Sequence, residues 1–402
     1  MKTKHLVLIL AFLVSGCGKK QEIQCLVSNA ETVVGGQTGQ ELSPTQVFRK
    51  NNGTEPGTLD PHRAEGVPAS NVLRDLFEGL VMEDPSGAYI PGAAESWTLT
   101  EDAKTYVFTM RENGKWSNGD DVTADDFVYG LRRSVDPATL SNYSSMLYPI
   151  KNARDIVLGK KDPEALGVRS EGAKKLIIEL GEPTPYFLSL LTHSTTYAAH
   201  RPTIEKFGTQ FTRPGNLVGN GAFRLEEWRV QSHIKLVRNT AYWDNKNTTL
   251  EEVYYYPLDD TNSSFKRYRA QELDFTETVL AEQLPWIRQC LPNDLKISPY
   301  FGSYYYGFNN TQPPFKDKPK LRTALSMAID RSVITDIILG AGMIPAYSLV
   351  PSVKTFKAVP ANWAQWTQEK KNQEAQKLYH ASGFSKESPL EVEILYNTSD
   401  NH

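Results

Sequence analysis

Cysteine is scarce in this chain. Its 402 residues include three, Cys17, Cys25 and Cys290. So few cysteines cannot build the disulfide framework that stabilises small exported domains, and we expect a large hydrophobic core to stabilise this fold instead. Cys25 and Cys290 could pair with each other or remain free thiols, and the sequence leaves both alternatives open.

An excess of one charge is also lacking. The 44 basic and 47 acidic residues give a formal net charge of -3. Because no excess of basic charge is present, we do not expect nucleic acid or an anionic membrane surface as a general partner. The 40% hydrophobic and 23% charged residues are those of an ordinary globular protein, and the length is enough for two or three domains.

The common enzyme motifs are absent from the sequence. It contains no G-x-S-x-G, no H-E-x-x-H, no G-x-x-x-x-G-K-[ST] and no G-x-G-x-x-G after a predicted strand. Its 7 histidines have no metal-ligand spacing, and no Cys-x-x-Cys occurs. The acidic pairs Asp120-Asp121 and Asp125-Asp126 fall in a loop and at a helix start, where solvation or capping explains them better than acid-base catalysis. We therefore expect no enzymatic activity, no metal and no cofactor.

The longest apolar run, Leu6–Val14, is near the N-terminus and follows Lys2 and Lys4. The run is shorter than the about 20 residues that span a bilayer, but it suits the core of a secretion signal. The small residues before Cys17 resemble the bacterial lipobox, in which the cysteine is lipidated and becomes the first residue of the mature protein. The alternative is an ordinary signal peptide cleaved nearby, with Cys17 incidental.

We interpret residues 1–17 as a lipoprotein signal peptide with a lipobox. The stretch 18–44, which contains "VVGGQTGQELSP", has the composition of a tether between a lipid anchor and a folded body. We therefore expect the mature chain to lie in the periplasm or on the cell surface, anchored to the membrane through lipid.

From Val47 onward, helix and strand patterns alternate, which favours a mixed α/β fold. The segment "SNVLRDLFEGL" predicts a helix with Ser70 as its N-cap and Gly79 as its end. Thr123 and Asp126 have the spacing of a capping box at the start of another helix. The middle of the chain, with "GAFRLEEWRVQSHIKLVRN" and "LEEVYYYPL", is rich in predicted strands.

The last quarter of the chain has mostly helical patterns. The segment "KPKLRTALSMAIDRSVITDIILGAG" predicts two helices, the second capped by Asp330 and ended by Gly340. A further amphipathic helix is predicted in "TQEKKNQEAQKLYHASGF", and a final strand in "LEVEILYN".

Aromatic residues are concentrated near loops and predicted strand ends. The sequence has 19 tyrosines and 7 tryptophans, with runs such as "SYYYGFNN". Tyrosine combines a flat apolar surface with one hydroxyl group, which suits a cleft that binds varied apolar groups and still offers hydrogen bonds. For any single tyrosine, packing in a core is the alternative.

Ordered blocks of the sequence resemble the oligopeptide-binding proteins of ABC importers. They include "RKNNGTEPGTLDPHRAEGVPASNVLRDLFEGLV", "WSNGDDVTADDFVYGLRRSVDP", "YYYGFNNTQPPF", "LRTALSMAIDR" and "LYNTSD", and they run from Val47 to the end. The resemblance implies a two-lobed periplasmic-binding-protein fold of the α/β class, with an extra domain in the first lobe and a hinge that closes on the ligand. It implies a first-lobe core at 45–77 and 202–301, an accessory domain at 78–201 and part of a second lobe at 302–402.

The resemblance also implies binding without any reaction. Proteins of this kind capture short oligopeptides mainly through the peptide backbone, and deliver them to the permease subunits of a membrane transporter. We therefore expect oligopeptides, permease subunits and the membrane, through the lipid on Cys17, as partners of a monomeric protein.

Nine site residues are carried over from the resemblance by matching motifs. They are Glu65, Gly66, Val67, Tyr143, Tyr268, Gly302, Tyr305, Asn397 and His402. The first three are expected in a peptide-facing loop, with the Glu65 carboxylate available to a basic side chain. Tyr143 and Tyr268 are expected to line the walls of the cleft. Tyr305 is expected to contact the ligand from the segment that crosses to the second lobe. His402 is expected to face the carboxyl end of the peptide, where imidazole donates a hydrogen bond or, when charged, attracts carboxylate.

The chain departs from the family at several points, among them Gly307, where some members have an acidic side chain. Members carry a cysteine where this chain has Gly302, so their cleft-side disulfide is not expected here. They also continue past His402, through the rest of the second lobe and through an aspartate and an arginine that bind the peptide termini. We expect the second lobe to be incomplete in this chain. The alternatives to oligopeptide import are a receptor for a cell-wall peptide, a signalling peptide or haem, and a surface interaction protein that has lost transport.

Overall fold

The computed structural model of the protein describes residues 42–298, 300, 302–352 and 356–396. The chain divides into two compact units, with one boundary after Leu280. The N-terminal unit contains the described residues up to Leu280 and those from Glu387 to Tyr396, and the C-terminal unit contains Ala281–Lys386. Within the described ranges, no helix is long and apolar enough to cross a membrane. The predicted lobe and domain boundaries stay predictions.

The N-terminal unit has ten described strands and six described α-helices, several of them joined by 3₁₀ turns. The strands are β1 (Val47–Asn51), β2 (Val81–Glu83), β3 (Tyr89–Pro91), β4 (Ala94–Leu99), β5 (Thr105–Met110), β6 (Val168–Ser170), β7 (Lys175–Glu179), β8 (Phe223–Arg229), β9 (His233–Arg238) and β10 (Glu252–Tyr256). The helices are α1 (Gly66–Leu76), α2 (Ala124–Val135), α3 (Ala153–Val157), α4 (Phe187–Leu190), α5 (Arg201–Phe207) and α6 (Thr261–Arg269).

Two four-stranded sheets form the framework of this unit. The first has the order β1-β10-β9-β8, with β1 parallel to β10 and the other pairs antiparallel. The second has the order β4-β5-β7-β6 and is antiparallel throughout, while β2 and β3 form a separate ribbon. Because successive side chains of a strand point to opposite faces, Val253 and Tyr255 of β10 are buried, and Tyr254 and Tyr256 are half-buried.

A hydrophobic core connects α1 and α2 with both sheets. Helix α1 contributes Val72, Leu73 and Leu76, whose spacing places them on one side of the helix. Trp116 and Phe127 are fully buried in the same core. Each large side chain contributes about 1.5–3 kcal/mol when it is removed from water. This core therefore supplies the main stabilisation of the unit, as expected for a chain with few cysteines.

Helix α1 begins earlier than the sequence pattern predicts. It starts at Gly66, after an extended N-cap residue, Glu65, so the prediction of Ser70 as the N-cap is wrong. Pro68 lies in the first turn, where the backbone needs no amide donor. Gly66 has φ +79, in the region that glycine tolerates, and this turn leads the chain from the extended residue into the helix.

The same helix also ends earlier than predicted. Its last residue is Leu76, and Phe77 already has extended geometry, so Gly79 does not end the helix. Gly79 is required by close packing instead. A β-carbon there would lie 2.9 Å from the Leu191 carbonyl oxygen and 3.0 Å from the Tyr197 ring.

Helix α2 has the predicted capping box. The Asp126 amide donates to Thr123 Oγ1 at 3.4 Å, and the Thr123 amide donates to Asp126 Oδ2 at 2.8 Å. Trp116 Nε1 also donates to Asp126 Oδ2, at 3.2 Å. This cap ties the start of the helix to a buried aromatic residue, so the helix has a fixed first turn.

The C-terminal unit is mainly helical in its described residues. Its helices are α7 (Leu284–Cys290), α8 (Pro319–Ala328) and α9 (Gln368–Ala381), with a π-helical segment at Val333–Leu339. The two predicted helices in the 318–342 region are confirmed, the second as this π-helical segment. The Asp330 carboxylate accepts from the Ser332 amide at 3.1 Å, and Gly340 ends the segment at φ +58. The predicted helix in the 367–384 region is confirmed as α9.

The predicted final strand is wrong over the residues that the structure describes. Residues 390–396 have no regular secondary structure, and Ile394, Leu395 and Tyr396 are exposed. A strand sequence becomes a strand only when a neighbouring strand supplies the hydrogen-bonded ladder. None of the described strands pairs with this segment.

Cys290 is disulfide-bonded, and its side chain is buried. Of the two alternatives that the sequence leaves open, the free thiol is therefore wrong for this residue. Cys17 and Cys25 lie outside the described residues, and so do the predicted signal peptide and most of the predicted tether.

We predict that Gly79→Ala lowers the free energy of unfolding by about 1–3 kcal/mol, because the added methyl group has no room beside the Leu191 carbonyl. Urea denaturation measures the change. Gly57→Ala is the matched control, since a β-carbon there meets nothing within 4 Å. Equal stability of the two variants would contradict the close-packing interpretation of Gly79.

Candidate functional site

The start of α1 presents Glu65–Val67 at the surface. Glu65 is exposed, and the Val67 side chain is 50% exposed although it is apolar. The end of β1 holds this turn in place, because Asn52 Nδ2 donates to the Pro68 carbonyl at 3.0 Å. Asn71 Nδ2 in turn donates to Asn52 Oδ1 at 3.1 Å. A loop between a strand and a helix, fixed at both ends, is a suitable base for binding groups.

An ion pair anchors the loop before this turn. The Arg133 guanidinium of α2 donates to both carboxylate oxygens of Asp60, at 2.8 and 2.6 Å. Asp60 is buried and Arg133 nearly so. Burial disfavours ionisation of Asp60, but the hydrogen bonds and charge of Arg133 outweigh burial and hold the pKa of Asp60 below its usual value.

His62 extends this anchor to a third segment. Arg133 Nη1 lies 2.8 Å from His62 Nδ1, and His62 Nε2 lies 3.0 Å from the Tyr197 carbonyl oxygen. These partners require Nδ1 to accept and Nε2–H to donate, which is the neutral imidazole. Burial, together with the charge of Arg133, lowers the pKa of His62 to about 4. The Asp60-His62-Arg133 network therefore joins the loop before α1, helix α2 and the turn at Tyr197.

Tyr143 lies beside the short turn Ser194–Thr196, and helix α1 packs against this turn. Its ring meets the His193 ring edge-on, with 4.9 Å between centroids, and 36% of its surface is exposed. His193 Nδ1 accepts from the Thr195 amide at 3.2 Å. Burial and the nearby charge of Arg74 lower the pKa of His193, which keeps that imidazole neutral near neutral pH. Tyr143 is thus a partly exposed aromatic residue held in position by a neutral partner.

The other predicted site residues belong to other elements of the chain or lie outside the described residues. Tyr268 is half-buried in the last turn of α6. Gly302 and Tyr305 belong to the C-terminal unit, where the Tyr305 ring is 65% exposed. Asn397 and His402 lie outside the described residues. The N-terminal unit therefore contains Glu65–Val67, Tyr143 and Tyr268, and the assignment of all nine residues to a ligand site stays a prediction.

Arg74 and His193 were not found from the sequence. Arg74 is an exposed cation on α1, and its charge acts on His193. An exposed arginine on an amphipathic helix has no sequence signal that separates a binding role from a solvated face. His193 stands in a short turn far from α1 in sequence, so only the folded chain reveals that it supports Tyr143.

A buried carboxyl group, Glu78, lies where the chain passes from α1 to β2. Tyr242 Oη and Trp243 Nε1 donate to its two oxygens at 2.5 and 2.8 Å. Its backbone amide and carbonyl bond to the Asn220 side chain at 3.0 and 2.9 Å. Burial raises the pKa of Glu78 to about 7. The Arg111 guanidinium stacks on the Trp243 ring at 3.4 Å, which encloses this crossing point.

The chemistry of these groups is that of binding and support. The carboxylates of Asp60 and Glu78, both ring nitrogens of His62 and both terminal nitrogens of Arg133 are directed to structural partners. Among the residues that the structure describes, no cluster of three histidine, cysteine, aspartate or glutamate side chains could hold a metal ion. The groups that remain exposed, Glu65, Val67 and Tyr143, offer a carboxylate, an apolar surface and an aromatic ring with a hydroxyl group.

Comparison with known proteins identifies related sequences. Residues 88–402 match the family model described as bacterial extracellular solute-binding proteins, family 5 Middle. The periplasmic oligopeptide-binding protein OppA of Salmonella typhimurium is 42% identical over 381 residues, which cover 94% of this chain and 70% of that protein. The periplasmic murein peptide-binding protein MppA of Escherichia coli is 39% identical over 368 residues, 91% of this chain and 68% of that protein.

Solved structures of related proteins also resemble the structure of this chain. The Escherichia coli murein tripeptide binding protein MppA superimposes with a TM-score of 0.86 at 39% identity, and the match covers 90% of this chain and 71% of that one. Haemophilus influenzae OppA in complex with RPPGFSPFR gives a TM-score of 0.84 at 39% identity, with the same coverage. These likenesses confirm the predicted fold class, the α/β fold of two-lobed periplasmic binding proteins.

We predict that lowering the pH weakens the fold through His62. Its pKa of about 4 in the folded protein is below the ordinary 6.5, so the unfolded chain binds more protons between these values. Stability therefore falls as the pH drops through this window, by about 2 kcal/mol between pH 7 and pH 5. His62→Gln should remove this part of the pH dependence, measured by urea denaturation at both pH values.

The exposed histidine His380 of α9 provides the control for this prediction. His380→Gln should leave the pH dependence of stability as it is in the unchanged protein. The interpretation of His62 fails if the two variants show the same difference in stability between the two pH values.

Proposed function

Because the chain belongs to family 5 of the bacterial extracellular solute-binding proteins, we propose that it is the substrate-binding protein of an ABC importer for short oligopeptides. The observation that carries this proposal is the 42% identity, over 94% of this chain, to the periplasmic oligopeptide-binding protein OppA of Salmonella typhimurium. The protein binds the peptide outside the cytoplasm and delivers it to a membrane permease. The family is one of solute-binding proteins, and binding is the whole activity proposed.

The start of α1 supplies the first part of the proposed ligand site. Glu65 has φ -128 and ψ 151, which is the geometry of a strand, and its side chain forms no capping bond. An extended peptide can align with such backbone, and the amides of Gly66 and Val67 at the start of α1 can donate to peptide carbonyl groups. Because every peptide has the same backbone, this mode of binding tolerates many sequences.

The exposed side chains around that backbone provide selectivity. We propose that the Glu65 carboxylate pairs with a basic ligand side chain and that Val67 and Tyr143 contact apolar groups. Tyr268, Gly302, Tyr305, Asn397 and His402 are proposed as further contacts on the resemblance alone. The interlobe position of the peptide is proposed on the same ground.

A lipid anchor is the proposed means of attachment to the envelope. The relatives of Salmonella and Escherichia are periplasmic proteins by name, which supports the periplasm as the compartment. The apolar run before Cys17 and the small residues that precede it support lipidation of that cysteine. Residues 18–44 then act as the tether.

A second candidate ligand is a cell-wall peptide. The murein tripeptide binding protein MppA of Escherichia coli superimposes with a TM-score of 0.86, as closely as an oligopeptide-binding protein does. Mass spectrometry of ligand that co-purifies with the protein separates the candidates. Many peptides of varied sequence support oligopeptide import, and one dominant murein peptide supports the second candidate.

We predict that the purified protein binds tri- to pentapeptides in calorimetric titration. Glu65→Gln should weaken binding of lysine-containing peptides about tenfold, the loss of about 1.4 kcal/mol, and leave alanine peptides unaffected. Glu101→Gln, at an exposed carboxylate in the turn between β4 and β5, is the matched control and should change neither. Tight binding of a sugar or a metal chelate without any peptide binding would overturn the proposed function.

A further inference from the structure

Two basic side chains of the C-terminal unit lie against the same pair of aromatic rings. The Arg331 guanidinium carbon is 5.0 Å from the centre of the Tyr347 ring and 5.4 Å from that of Trp363. The Lys371 ammonium is 4.5 Å from the first of these ring centres and 5.9 Å from the second. The two rings meet edge-on, with 5.5 Å between their centroids. Two positive charges are thus held close together around one aromatic pair.

Helices α8 and α9 fix the positions of these four residues. Arg331 follows the end of α8, and Lys371 lies in the first turn of α9. Trp363 is buried in the small hydrophobic core that both helices line, and Tyr347 packs against that core. A ligand site needs side chains that packing holds in one geometry, and this cluster meets that requirement.

Neither cation has a counter-charge in the part of the chain that the structure describes. Lys371 is 4% exposed, and the one hydrogen-bond partner of its ammonium group is the Tyr347 hydroxyl group, at 2.8 Å. Arg331 is half-buried, and its side chain donates to the carbonyl and hydroxyl groups of Ser326 and to the Ile329 carbonyl. Buried charges in proteins are normally paired with the opposite charge, so two positive charges are left to be balanced here.

The acidic side chains nearest in sequence do not balance these charges. The Asp330 carboxylate accepts from the amides of Ser332 and Val333, at 3.1 and 3.3 Å. Glu369 is exposed in the first turn of α9. Over the described ranges, no ion pair joins either carboxylate to either cation.

Several hydrogen-bond donors of the cluster have no acceptor among the described residues. The Tyr347 hydroxyl group accepts from Lys371, so its own hydrogen is left to donate to a further acceptor. Ser326 and Ile329 occupy the two terminal nitrogens of Arg331 and leave the edge formed by Nε and Nη2 open. Such an edge binds a carboxylate or a phosphate with two parallel hydrogen bonds.

We propose that Arg331, Tyr347 and Lys371 form a binding site for a doubly charged phosphate group, either inorganic phosphate or a phosphate monoester. The Arg331 edge supplies two hydrogen bonds, the Tyr347 hydroxyl group supplies one, and Lys371 adds its charge from behind that hydroxyl group. The site is separate from the proposed peptide function and does not depend on it.

The charge of the cluster selects phosphate over a carboxylate. A phosphate monoester carries about 1.5 to 2 negative charges at neutral pH, which matches two cations. A carboxylate carries one negative charge and would leave the second cation unbalanced. We therefore expect a clear preference between these two kinds of anion.

Calorimetric titration of the full chain with inorganic phosphate tests the site. At pH 8 in chloride buffer, we expect phosphate to bind at one site, and acetate to bind at least about tenfold more weakly because it balances only one of the two cations. Absence of phosphate binding would overturn the proposal, and so would acetate binding as tight as that of phosphate.

Two conservative variants show whether these side chains bind the phosphate. Tyr347→Phe removes the hydroxyl group and keeps the ring that both cations contact, and it should weaken phosphate binding about tenfold. Arg331→Lys keeps the charge and removes the two-bond edge, with a similar expected loss. Lys377→Gln, at an exposed cation of α9 that pairs with Glu374, is the matched control and should bind phosphate as the unchanged chain does. The same affinity in all three variants would exclude this site.

Lys371→Gln removes the buried charge and should abolish phosphate binding. If this variant does not fold, as circular dichroism would show, the two conservative variants still decide the question, because each keeps the aromatic packing and both charges.

Glycerol 3-phosphate distinguishes the two forms of the ligand. Tighter binding than that of inorganic phosphate identifies a monoester, and weaker binding identifies inorganic phosphate; either result supports the site. A chain that binds phosphate but no peptide would overturn the proposed function alone. A chain that binds peptides but no phosphate would overturn this inference alone.

Discussion

The position of the proposed binding surface depends on one nearly buried ion pair. Arg133 reaches from α2 to Asp60 with two parallel hydrogen bonds, and the same guanidinium binds His62. A buried charge that loses its partner destabilises a protein by about 3–5 kcal/mol, so the loop that carries Asp60 must stay against α2. That loop leads directly to Glu65, and the first turn of α1 is thereby held in one place. A binding protein needs such a fixed surface, because every group that becomes ordered only on binding reduces affinity.

A second constraint operates where the chain crosses between the two sheets of the N-terminal unit. The segments around Glu78 and Asn220 run side by side and exchange two hydrogen bonds between backbone and amide side chain. Gly79 lies against the Leu191 carbonyl there, so the crossing has no room for a larger residue. The buried Glu78 carboxyl binds Tyr242 and Trp243, which joins this crossing to the segment after β9. These hydrogen bonds account for the polar groups that are buried at this crossing.

Much of the fold was predictable because its signals are local. The capping box of Thr123 and Asp126, the cap at Asp330 and the end at Gly340 each depend on residues within a few positions of one another. The helix start at Gly66 was not predicted. Serine is a common N-cap residue, so the pattern favoured Ser70, but the chain already enters the helix at Gly66. The predicted strand after Leu390 failed for a different reason: strand formation needs a neighbour, and the sequence of the strand does not say whether one is present.

The sequence by itself determined the alternation of helices and strands, the absence of common enzyme motifs and, through its resemblance, the family of solute-binding proteins. Only the tertiary structure decided which contacts hold the proposed binding residues in place. Asp60 and Arg133 are 73 positions apart, and His62 and Tyr197 are 135 apart, so no local pattern links them. It also decided that Cys290 is bonded, which spacing had left open. The physical reason is the same in each case, because hydrogen bonds and disulfides join atoms that are near in space, and only folding brings distant residues together.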